Sequence, residues 1–158
     1  MSNLKQAIKQ NSVKCVQNPS YFINEFCTIQ HPQRGKIKFK LYPYQYDVLD
    51  EFEKHDYNVV LKSRQLGIST LSAAYALWMM LFHNDKNILC IATSKDTAKN
   101  LVTKVRIMYE GLPNWLKTAI VENNKLSLIF KNGSQIKAIA SNESAGRSEA
   151  LSLLILDE

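Results

Sequence analysis

The stretch Asn58-Val59-Val60-Leu61-Lys62-Ser63-Arg64-Gln65-Leu66-Gly67-Ile68-Ser69-Thr70 decides how this chain is read. Its first four residues form a short apolar run suited to a buried strand. A polar loop follows, and from about Ser69 to His83 a nearly continuous apolar run predicts a long buried helix. Strand, tight turn and helix start, in that order, are what a phosphate-cradling loop requires. Its backbone N–H groups converge, and the positive end of the helix dipole faces the anion.

The usual form of such a loop is G-x-x-x-x-G-K-[ST]. Matched on Gly67 and Ser69, it puts Lys62 at the first glycine position and Ile68 at the lysine position. By the strict pattern the loop fails. A closed loop brings its ends together, however, so Lys62 can deliver its ammonium to the β- and γ-phosphates from the other end. Ser69 keeps the hydroxyl expected on Mg²⁺, Ser63, Arg64 and Gln65 add donors, and Arg64 can reach a γ-phosphate. The candidate nucleotide-binding set here is Lys62, Ser63, Arg64, Gln65, Gly67, Ile68, Ser69 and Thr70. Taken alone, the segment is as readily an ordinary strand-to-helix turn.

About 90 residues later the chain reads Leu153-Leu154-Ile155-Leu156-Asp157-Glu158. An apolar strand ending in Asp-Glu presents one carboxylate to Mg²⁺ and a second that can polarise an attacking water. Many strands end in acidic residues, so the weight comes from order: this one follows the loop after two further strand–helix signals. Upstream, Leu41-Tyr42-Pro43-Tyr44-Gln45 precedes the loop. Gln45 can donate and accept, as reading an adenine edge requires, and Tyr42 can stack on a base. A proline-led helix start with a buried aromatic explains the same residues.

Between these motifs, Asn87 to Ala92 reads as a second buried strand and Ser94 to Glu110 as a helix opened by Ser94, with Asp96 near its positive end. Leu126 to Phe130 and Gln135 to Ala140 flank Lys131-Asn132-Gly133-Ser134, the strongest short-range hairpin signal. Near the N-terminus, Tyr21 to Cys27 reads as a helical piece. His31 to Gly35 reads as a turn, and Lys36 to Lys40 as an edge strand. The expected fold is α/β: a P-loop NTPase (ASCE/RecA-like) with a mainly parallel sheet, helices on both faces and a β-hairpin insertion, incomplete at the C-terminus. Residues 1–40 form a basic N-terminal arm or subdomain, and 41–158 a partial ATPase core.

The chain of 158 residues suits one domain. No apolar leader or membrane-length run is visible, since the longest nearly apolar stretch is Leu71 to Phe82. Cys15, Cys27 and Cys90 lack metal-site spacing and fit reduced thiols acting as small core hydrophobes. The net charge of +6 sits in residues 1–40, where seven cationic side chains face Glu25 alone. Such a segment can meet nucleic-acid phosphates, or can simply be solvated.

Together, Tyr-Pro-Tyr-Gln, Ser-Arg-Gln-Leu-Gly-Ile-Ser-Thr, Ala92-Thr93-Ser94, Ser144-Ala145-Gly146-Arg147 and Leu-Ile-Leu-Asp-Glu resemble the large terminase subunit of tailed bacteriophages, from about Tyr21 to Glu158. The resemblance implies an ATP- and Mg²⁺-dependent motor that pumps double-stranded DNA into a prohead, with a separate C-terminal nuclease domain. By the same resemblance, Gln45 contacts adenine, and Lys62, Gly67 and Ser69 hold phosphates and metal. Arg64 senses the γ-phosphate, Asp157 holds Mg²⁺, Glu158 is the catalytic base, and Arg147 stands where some members carry an arginine finger. The implied partners are portal protein, small terminase subunit and a ring of like subunits, without membrane, in the cytoplasm of the bacterial host.

Nothing follows Glu158 in this sequence, so weak or absent turnover is expected of the stretch itself. Two other readings share its signals: a helicase-like DNA translocase, and a non-enzymatic nucleic-acid-binding remnant.

Overall fold

A computed structural model describes residues 2–141 and 150–157. Its spine is helix α4 (Ile68–Phe82), whose residues are apolar on nearly every side and which is accordingly buried on nearly every side. Fully burying each of Leu71, Leu77 and Met80 is worth roughly 1.5–3 kcal/mol. The C-terminal carbonyls of α4 are capped from outside the helix. Asn132 Nδ2 donates to Met80 O (2.8 Å) and His83 O (3.3 Å), and Ser134 Oγ donates to His83 O (2.8 Å). Both donors lie in the turn joining β5 (Ser127–Phe130) to β6 (Gln135–Ala140).

That turn is the expected Asn-Gly hairpin. Gly133 has φ +82°, and a Cβ there would stand 2.1 Å from Asp85 Oδ1, so only glycine fits. The hairpin belongs to a five-stranded sheet ordered β4-β5-β6-β3-β7, with β3 (Asn87–Ala92), β4 (Ile120–Asn123) and β7 (Leu153–Asp157). β3 lies between β6 and β7 and is parallel to both, whereas β5 is antiparallel to β6 and β4. Four of the five strands therefore run the same way, as a mainly parallel sheet requires, and only β5 opposes them. The extra antiparallel pairing comes from β4, whose Ile-Val-Glu-Asn is too short and polar to announce a strand.

Register divides the sheet into two faces. Ile88, Cys90 and Ala92 align with Ile136, Ala138 and Ala140 on one side and with Leu153, Ile155 and Asp157 on the other. These residues share the face that packs against α4 and α5 (Lys95–Glu110), which lie side by side. On the opposite face Leu154 and Leu156 are 46% and 73% exposed.

The N-terminal 40 residues pack onto this layer. α1 (Ser2–Gln17) and α2 (Pro19–Phe26) precede a hairpin of β1 (Thr28–His31) and β2 (Gly35–Lys38). Phe22 meets Phe82 edge-to-face at 5.3 Å, and Trp78 Nε1 donates to Cys15 O at 2.7 Å. Cys15, Cys27 and Cys90 are all buried and free, as small core residues should be. Part of the expected basic arm is spent locally: Lys38 Nζ donates to Glu25 O (2.7 Å), and Lys36 pairs with Glu110 (3.8 Å).

One expectation fails outright. Asn58 to Leu61 was to be a buried strand, yet residues 55–63 form no regular element, and Val59 and Leu61 are fully exposed. Among the described residues the sheet ends at β7, and no strand lies beside this apolar segment to pair with it. No described helix is long and apolar enough to cross a membrane.

Candidate nucleotide site at the N-terminus of the central helix

The loop entering α4 is built on two left-handed residues, Gln65 (φ 63°) and Gly67 (φ 71°), the latter being the residue before the first helical turn. Alternation of this kind turns successive backbone N–H groups toward one concavity, and the first turn of α4 supplies further unpaired N–H groups. Gly67 carries no capping side chain that would occupy them.

Two residues hold the loop from behind. Tyr44 Oη donates to Leu66 O (2.8 Å), and Gln45 Nε2 donates to the same carbonyl (3.2 Å). Gln45 also accepts the Tyr42 N–H on Oε1 (3.0 Å), while its own N–H donates to Tyr42 O (2.9 Å). Both ends of the Gln45 amide are therefore committed to backbone, and the residue is only 1% exposed. These bonds make Gln45, expected to contact adenine, also a tie between the start of α3 (Pro43–Lys54) and the loop. Tyr44 does similar work. It lay inside the quoted Tyr-Pro-Tyr-Gln motif without a role, because nothing in sequence says which backbone carbonyl an aromatic hydroxyl will find. Tyr42, 62% exposed and stacked on Tyr44 at 5.8 Å and 7°, keeps an open ring face.

The front of the site joins residues 88 positions apart. Ser69 Oγ donates to Asp157 Oδ1 at 2.9 Å, so the last described residue of β7 meets the first turn of α4. Ser69 and Asp157 are half-buried, as is Lys62, and all three line one groove of about 380 Å³. Ser63, Arg64 and Gln65 are exposed and Thr70 is half-buried. Ile68 is buried in the core, so at the position where the common loop carries lysine this chain spends the side chain on packing. Arg147 and Glu158 lie outside the described residues.

The donor set suits a hard divalent cation: one hydroxyl and one carboxylate oxygen already in contact, with neither thiolate nor imidazole beside them. Mg²⁺ is held by few protein oxygens and completes its shell with water and phosphate. No group of three or more His, Cys, Asp or Glu side chains that could hold a metal ion occurs among the described residues. On β3, burial pushes the Cys90 thiol up to about 12, and the nearby Asp157 carboxylate adds to the shift.

A profile of the family described as phage terminase large subunit gpA, ATPase domain, matches residues 31–158. The chain belongs to this family. The terminase fold is visible in the coordinates as well. The crystal structure of the HK97 bacteriophage large terminase superposes with a TM-score of 0.71 over 90% of this chain, at 21% identity. The match covers 31% of that terminase, so this chain spans about a third of its length. The P-loop-type α/β architecture expected from the loop and the terminal strand is therefore the architecture of this terminase domain.

Proposed function

We propose that this chain is the nucleotide-binding portion of a DNA-packaging motor subunit, taking ATP with Mg²⁺ at the N-terminus of α4. The observation that carries the reading is the Ser69–Asp157 contact at 2.9 Å, because a hydroxyl and a carboxylate so placed are the pair a Mg²⁺ ion would bridge. In this reading Lys62 faces the β- and γ-phosphates and the Gln65–Gly67 loop cradles them through N–H groups. Arg64 lies at the solvent side as γ-phosphate sensor, and Tyr42 stacks on the base. Ser69 and Asp157 hold the metal, which when bound neutralises charge on the phosphates. Glu158, next in sequence, is the water-activating carboxylate, and Arg147 acts on a neighbouring subunit.

In a full-length terminase large subunit, hydrolysis at this site would drive double-stranded DNA into the prohead. A portal protein, a small terminase subunit and a ring of like subunits would be the partners, in the cytoplasm of the infected bacterium. Family membership supports these partners, and the basic residues Lys5, Lys9 and Arg34 of the N-terminal layer offer phosphate contacts.

Titration with a fluorescent ATP analogue tests the site. Binding should require Mg²⁺ and weaken at least about tenfold, some 1.4 kcal/mol, in Lys62→Ala and in Asp157→Asn. Thermal melts establish that both variants fold. Equal affinity in folded wild type and both variants would overturn the assignment.

A further inference from the structure

The turn Lys131-Asn132-Gly133-Ser134 holds the chain's one Asn-Gly pair, and the nucleotide site makes no use of it. An asparagine before glycine is chemically labile, because no side chain on the glycine shields the asparagine amide carbon from the glycine nitrogen. In this fold every group that such a reaction needs is already bonded. The nucleophile, Gly133 N, donates to Phe130 O at 3.1 Å. The leaving group, Asn132 Nδ2, donates to Met80 O and His83 O, and Asn132 Oδ1 accepts the Ser134 N–H at 3.1 Å. Asp85 N donates to Asn132 O at 3.1 Å, and the Asp85 carboxylate lies against Gly133. A carboxylate there opposes the negative charge that would develop on Gly133 N.

We infer that Asn132 is a modification site held latent by the fold: its side-chain amide is converted when the hairpin turn opens, and the product cannot re-form the clasp on α4. In the open turn Gly133 N gives up its proton to solvent and attacks Asn132 Cγ. A bond from Gly133 N to Cγ forms, the Cγ–Nδ2 bond breaks, and Nδ2 takes a proton from solvent and leaves as ammonia. The cyclic imide then takes up one water at either of its carbonyls, giving aspartate or iso-aspartate at 132. Nothing is oxidised or reduced. Gly133 is exposed and Asn132 half-buried, so water reaches both once the bonds part.

Either product carries a carboxylate where Nδ2 stood, with no N–H to offer. It would face Met80 O and His83 O, two acceptors at the negative end of the α4 dipole, so attraction becomes repulsion. Iso-aspartate also adds a methylene to the backbone of a turn whose glycine is fixed at φ +82°. Conversion therefore releases the C-terminal end of α4 and leaves a record of each opening as one added negative charge. The inference rests on the turn and not on nucleotide binding, so either can fail alone.

The experiment follows Asn132 by peptide mass mapping while the 158-residue chain is held in mildly alkaline buffer, folded or unfolded in urea. Conversion should be at least about tenfold slower in the folded chain, because only its open fraction reacts. Ser134→Ala removes the hydroxyl bond to His83 O and should speed conversion of the folded chain about two- to tenfold, with no effect in urea. Thermal melts establish that this variant folds. Asn132→Asp, which carries the product's charge, should melt below Asn132→Ala, which merely leaves the two carbonyls unpaired. Equal rates in the folded and unfolded chain overturn the inference. So does an unchanged rate in folded Ser134→Ala, or an Asn132→Asp chain that melts at or above Asn132→Ala.

Discussion

Replacing Gly67 with alanine tests how the phosphate loop is held. At φ 71° a Cβ costs about 1–2 kcal/mol in the left-handed region. It would also stand 3.0 Å from Gln45 Nε2, closer than an ordinary contact. The amide cannot swing away freely, because it is pinned to Leu66 O at 3.2 Å and to Tyr42 N at 3.0 Å. Loosening one of these bonds adds about 0.5–1.5 kcal/mol, for a total of roughly 1.5–3.5 kcal/mol. At about 2–4 °C per kcal/mol for a chain of this size, Tm should fall by roughly 3–14 °C. Denaturant titration of Gly67→Ala, Gln45→Ala and the double variant separates the two parts. In the Gln45→Ala background the clash partner is gone, so Gly67→Ala should cost only the backbone share, a non-additivity of about 1 kcal/mol. A single-variant cost below about 0.5 kcal/mol would refute the strained-loop argument. Equal costs in both backgrounds would refute the tie.

Ser69→Ala should lower stability by about 0.5–1.5 kcal/mol, read as a shift in denaturation midpoint at constant m, and should abolish Mg²⁺-dependent nucleotide binding. Undiminished binding would remove Ser69 from the metal site. Trp78→Phe deletes the indole donor to Cys15 O and leaves a buried carbonyl unpaired, costing about 1–3 kcal/mol and speeding amide exchange across α1; unchanged exchange would show that α1 is held otherwise. Cys15 is pushed up to about 11 and Cys90 to about 12, both by burial first, so the folded chain keeps these protons longer than the unfolded one. The resulting stability is complete below about pH 9 and is lost as pH rises through 11 to 12. Denaturation midpoints should therefore drop from pH 8 to pH 10.5, less steeply in Cys90→Ala, and a flat profile would contradict the shifts.

What was legible in sequence was local and periodic. Asn87 to Ala92, the Asn-Gly hairpin and the Ser94 cap are where their residues put them, because each is decided by neighbours within a few positions. Ser94 accepts the Thr97 N–H at 3.1 Å, as a helix-capping serine should. The failures share a cause in long-range pairing. Val59 to Leu61 has every property of a strand except an adjacent strand, and hydrophobicity cannot report whether a neighbour exists. The bond from Gln45 to Leu66 O was likewise invisible, because which carbonyl an amide meets depends on residues twenty positions away. The Ser69–Asp157 pair was readable from motif order, though its direct contact was not.

The capping of α4 by the hairpin turn joins two places that function would otherwise keep apart. One end of the helix meets Asp157 and the phosphate loop; the other is clasped by Asn132 and Ser134. Fifteen residues make a rod about 22 Å long, too stiff to absorb a displacement within itself. A shift of Ser69 along the helix axis must reappear as a push on the turn at residues 131–134.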